Sequence, residues 1–88
     1  MLVDIEGNDW SLLKRQSCLL RSDIIDATEM KEWQSVRKKM KGKTLKERKE
    51  MLEDFLAGQH YMGTYLKQVA VLNYINALKR AGLIKEVH

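Results

Sequence analysis

The chain has 88 residues, a net charge of +4, 44% apolar and 32% charged residues, no proline, five glycines and one cysteine. That length supports one domain with one core, and apolar residues spread along the whole chain exclude wholesale disorder. The lone Cys18 excludes an internal disulfide and reads as a packed core thiol; no apolar run nears the roughly 20 residues of a bilayer span, and acids stand near the N-terminus where a signal peptide is basic, so the expected location is the cytosol, or the nucleus in a eukaryote.

Leu2, Val3 and Ile5 form a short apolar segment closed by Gly7, read as a strand or an ordered arm. Asn8 or Asp9 can cap a first helix over about residues 10 to 21, where Trp10, Leu13, Ser17 and Leu20 recur at helical spacing with Leu12 and Leu19 alongside. Asp26 and Glu29 have the spacing of a capping box for a second helix over about 27 to 41, with Ile24 and Ile25 stapling its entry and Gly42 as its stop. Its apolar side is Trp33, Val36 and Met40, with Met30 at the edge.

Thr44 and Glu47 form a second capping box, and Gly58 terminates the third helix, over about 45 to 57. Leu45, Leu52 and Leu56 align there within about 40 degrees at 100 degrees per residue, and Phe55 and Met51 widen the stripe. A turn from Gly58 to Thr64 leads into a fourth helix over about 65 to 81, ended by Gly82. That helix carries one seam of Val71, Tyr74, Leu78 and Ala81 and a second of Tyr65, Val69, Leu72 and Ile75, so its first half must be buried on more than one side. Leu83, Ile84 and Val87 suit a terminal strand that pairs with residues 2 to 6. The fold class expected is all-α with a minor two-stranded β element: a bundle of about four helices forming a single domain over residues 1 to 88.

No constellation supports catalysis or a cofactor. His60 and His88 have no histidine or cysteine at metal-ligand spacing. Glu53 and Asp54 are adjacent and so diverge by about 100 degrees on a helix. Gly42, Lys43 and Thr44 match the end of a phosphate-binding loop, but position 37 is an arginine where that loop needs glycine, and a helix precedes the segment. The serines lack a nucleophile-elbow context. The expectation is a protein that is not an enzyme and carries neither metal nor cofactor.

The charge is the informative feature. From Arg37 to Lys49 there are eight basic residues and one acid, a local +7 in a chain of +4, so the rest is net acidic. A local basic surface draws polyanions and gains affinity by releasing their counterions. Lys46 and Lys49 can pair with Glu50 and Glu53 four residues on, and the outward side of the third helix carries Glu47, Glu50, Glu53 and Asp54, which divides the run at Thr44. What remains is a basic corner at the turn between the second and third helices: Arg37, Lys38, Lys39, Lys41 and Lys43. Trp33 sits on the apolar stripe, whereas Tyr61 and Tyr65 are better placed as contact residues.

Glu50, Met51, Leu52, Phe55, Leu56, Ala57 and Gly58, followed by Ile75, Leu78, Ala81, Gly82, Leu83 and Ile84, resemble the helical part of a winged helix-turn-helix domain, over about residues 44 to 87. The resemblance implies that Asn73, Asn76, Lys79 and Arg80 face a DNA groove and touch bases or phosphates. The leading reading is therefore a small regulatory protein that binds nucleic acid, DNA first, through the basic corner. The alternative is a protein-protein interaction module, a homodimer or a clamp on an acidic partner, acting through Tyr65, Val69, Leu72 and Ile75.

Overall fold

The structure is a computed structural model, and it describes residues 1–17, 30–58 and 64–87, with the side chains of Thr64 and Tyr65 left aside. Strand β1 (Leu2–Asp4) is followed by helices α1 (Ser11–Ser17), α2 (Lys31–Met40), α3 (Leu45–Ala57) and α4 (Thr64–Arg80), and by strand β2 (Ile84–Glu86). The strands pair antiparallel, with Leu2 opposite Glu86 and Asp4 opposite Ile84. Cys18, Leu19, Leu20, the staple pair Ile24 and Ile25, the Asp26–Glu29 capping box, His60, Tyr61 and His88 lie outside the described residues.

The N-terminal segment is held by one carboxylate. Asp4 accepts hydrogen bonds from the backbone N–H groups of Glu6 (2.8 Å) and Asn8 (2.9 Å), from the Asn8 side-chain amide and from Trp10 Nε1 (2.7 Å). Burial raises its pKa, but the bonds from Trp10, Asn8 and Glu6 outweigh that and hold the carboxyl below its ordinary value. Trp10 donates its backbone N–H to Leu2 O (2.7 Å), which keeps it out of the helix, and Asp9 accepts from Ser11 N (2.8 Å). For that reason α1 starts at Ser11 and not at residue 10. Trp10, Leu13 and Ser17 are buried as the spacing predicts, but Leu12 is 58% exposed.

α2 starts at Lys31, with Met30 at its cap and no side-chain cap bond, and ends before Lys41, whose backbone is extended. α3 has the predicted bounds. The Thr44 hydroxyl accepts from Glu47 N (3.2 Å) and donates to Glu47 Oε1 (3.0 Å), so the acid closes the box on the hydroxyl. A second carboxylate arrives from the N-terminal turn, where Glu6 Oε1 accepts from Leu45 N at 3.4 Å. α4 is one unbroken helix that ends with Leu83 N bonded to Leu78 O (2.9 Å) and Gly82 N to Lys79 O (3.1 Å). This is a Schellman ending, and Gly82 takes the left-handed φ of 77° that it needs. It turns the chain straight into β2 and leaves Ala81 exposed, past the end of its seam.

α1 packs on α4, α2 on α3, and α3 on both α1 and α4. The core gathers Trp10 and Leu13, Trp33 and Met40, Leu45, Leu52, Phe55 and Leu56, and Val69, Val71, Ile75 and Leu78 from the four-helix side, closed by Leu2 and Ile84 from the sheet. Lys67 is buried among them: its Nζ donates to Gly58 O (3.1 Å), lies 3.3 Å from Glu32 and sits 5.1 Å from the Phe55 ring centre. Among the described residues no helix is long and apolar enough to cross a membrane.

Candidate nucleic-acid interface

Gln34, Arg37 and Lys38 recur at positions i, i+3 and i+4, which puts them along one side of the last turns of α2, and Lys41 follows at its extended C-cap. Gly42, at φ 79°, reverses the chain and brings α3 back beside that side. Arg48, in the second turn of α3, then reaches the gap between the helices. Its Nε donates to Lys43 O (2.9 Å) and its Nη1 to the Tyr74 hydroxyl (3.4 Å). Tyr74 comes from α4 and is seated edge-on against Trp33, with ring centres 5.9 Å apart.

The result is an open groove of about 510 Å³ lined by Gln34, Arg37, Lys38, Met40, Lys41, Gly42, Arg48 and Tyr74. Four of these side chains are cations and none is a carboxylate. Arg48 is half-buried, and of its five guanidinium N–H donors two are used within the fold. Arg48 is thus tethered at one edge by a backbone carbonyl and a phenol, with the rest of its fork available to an anion that enters the groove.

Of the five residues of the predicted basic corner, Arg37, Lys38 and Lys41 line the groove. Lys39 is exposed outside the lining, and Lys43 is exposed with its Nζ 3.9 Å from Glu47. The expected Lys49–Glu53 pair forms at 2.7 Å. A division of the basic run at Thr44 misses Arg48, because local pairing accounts for Lys49 but not for a side chain that turns toward α4. Tyr74 was expected as a seam residue; it is partly buried against the core, and its hydroxyl is the part that serves the groove.

Among the residues named for a DNA groove, Asn73 and Arg80 are exposed and Asn76 and Lys79 are half-buried. At 100 degrees per residue Asn73 and Arg80 lie within about 20 degrees of each other, and Lys79 about 140 degrees from Tyr74. The basic groove therefore takes Tyr74 from α4 and none of these four. Lys79 lies toward β2, where Glu86 is held below its ordinary pKa first by a hydrogen bond from Lys14 and further by the charges of Lys14, the N-terminus and Lys79.

The seam proposed as a partner interface is mostly used by the fold itself. Val69 and Ile75 are in the core, at 4% and 0% exposure, and Leu72 is half-buried. The physical reason is that α4 is flanked by α1 as well as α3, so two stripes face neighbouring helices. The side chain of Tyr65 lies outside the described residues. Among the described residues no group of three or more His, Cys, Asp or Glu side chains is placed to hold a metal ion. Comparison with protein-family models, with curated proteins and with solved structures finds no match to this chain.

Proposed function

We propose that the protein binds nucleic acid by its phosphates, in the groove between α2 and α3, and that it does so as a small regulatory protein with DNA as the first candidate. The observation that carries this reading is Arg48: a half-buried guanidinium, positioned by Lys43 O and Tyr74, facing three further cations with no acid in the lining. Four like charges around one concavity repel one another, and an anion between them relieves that repulsion. Arg37 and Lys38 stand on the last turn of α2 and Lys41 at its extended C-cap, with Arg48 across the gap, so a polyanion can meet them with more than one phosphate. Asn73 and Arg80, on the solvent side of α4, are the residues that a winged helix-turn-helix role would add as base or phosphate contacts.

Fluorescence anisotropy with a labelled DNA duplex and its single strands, at low and at moderate salt, tests the reading. Binding should weaken steeply with salt, with log K falling by roughly 0.7 to 0.9 per phosphate neutralised for each tenfold rise in salt. Absence of binding to any of these at micromolar protein in low salt would sink it. An acidic protein partner is the competing occupant, and polyglutamate bound where nucleic acid is not would select it.

A further inference from the structure

We infer that the groove takes one nucleotide of an unpaired strand, with its phosphates on the cationic rim and its base against Tyr74. This inference rests on the nucleic-acid reading and specifies which form of nucleic acid fits. A duplex shows its phosphates on a convex surface and keeps its bases inside, so contact with it needs only an exposed rim of cations. The groove here is instead concave, and at about 510 Å³ it lies within the range of small-ligand sites. Its inner surface is not all charge: the half-buried Tyr74 lines the space between the cations, above the buried Met40. An apolar, partly aromatic wall between basic side chains is the arrangement that holds unpaired bases without reading their sequence. A paired nucleotide reaches such a wall only after the cost of unpairing and unstacking.

The groove also offers a way to hold the phosphate and the base at once. Arg48 projects from α3 beside Tyr74, while Arg37, Lys38 and Lys41 stand on the α2 side. A phosphate bridging Arg48 and the α2 cations leaves the attached base at Tyr74.

The test is anisotropy of the full chain with four 15-nucleotide probes: a single-stranded DNA, the RNA of the same sequence, the blunt DNA duplex, and a single strand of the same length built from abasic sites. The abasic strand keeps every phosphate and removes every base. The expected result is at least tenfold tighter binding of the DNA or RNA strand than of the duplex, with the abasic strand reduced to the level of the duplex or below. Equal binding of strand, duplex and abasic strand overturns this inference and leaves phosphate binding intact. Binding to none of the four overturns both.

Discussion

Arg48 tests the site most sharply, because its charge and its geometry can be removed separately. Arg48→Lys keeps the charge and loses the fork; Arg48→Met loses both. A hydrogen bond to a charged group contributes about 1.5 to 3 kcal/mol, and a lysine in this place can keep one contact of two. Arg48→Lys should therefore weaken phosphate binding by about 1.5 kcal/mol, or roughly tenfold. The salt dependence should stay at its wild-type slope, since the number of phosphates neutralised is unchanged. Arg48→Met should cost about 3 kcal/mol, more than a hundredfold, and reduce the slope by roughly 0.7 to 0.9. Neither substitution should unfold the protein: the Nε bond to Lys43 O is at the surface and the contact to Tyr74 is long at 3.4 Å, so together they are worth about 1 kcal/mol of stability. Tyr74→Phe removes the tether alone and should weaken binding by a few-fold with no change in slope. Thermal melts by circular dichroism and salt-series anisotropy on the same preparations measure both quantities. If Arg48→Lys binds as the wild type does while Lys38→Ala and Lys41→Ala weaken binding, the cations act as diffuse charge and the claim that Arg48 organises the site is refuted.

Three further outcomes concern the fold that carries the groove. Asp4 has a pKa held below its ordinary 3.8 in the folded state, so its contribution is fully present above that value and is lost as the pH falls through the folded pKa; Asp4→Asn turns a donor toward the buried Trp10 Nε1, should cost about 2 to 3 kcal/mol at neutral pH, and should flatten the acid limb of denaturant melts relative to wild type. Thr44→Ala removes the α3 cap and should cost about 1 kcal/mol in urea unfolding. Lys67 contributes mainly its packed stem, since Glu32 is largely exposed and Gly58 O can turn to water; Lys67→Met should change stability by less than about 1 kcal/mol, while Lys67→Ala leaves a gap beside Phe55 and should cost about 2 kcal/mol. Equal losses in the two Lys67 variants would show that the charge matters more than the stem.

Much of the fold was legible because its signals are local. The bounds of α3 follow from Thr44 and Glu47 three residues apart and from Gly58, and the turn into β2 from Gly82, all of which act within a helical turn. The core stripes of α1, α2 and α3 follow from spacing, as Trp10, Leu13, Trp33, Met40, Leu52 and Leu56 attest. The start of the first helix falls within one residue of its expected place: Trp10 stands at the cap, its C=O accepting from Lys14 N (3.0 Å) and its N–H bonded to Leu2 O. Ala81 continues its seam by spacing alone, but the helix has ended before it reaches a neighbour.

That a bundle of helices with paired terminal strands would form, and that positive charge would gather where α2 meets α3, could be read from the residues alone. Periodicity, caps and glycines act over three to five residues and need no partner from elsewhere. Which cations share a concavity follows from packing between distant segments. Arg37, Lys38 and Lys41 are joined there by Arg48, while Lys39 and Lys43 remain outside; the addition of Arg48 depends on how α2, α3 and α4 cross. Arg48 is tethered both by Lys43 O, five positions away, and by Tyr74, 26 positions away, and no local pattern encodes the second meeting. The same crossing closed the seam of Val69 and Ile75, since a stripe is a surface or a core according to what packs on it.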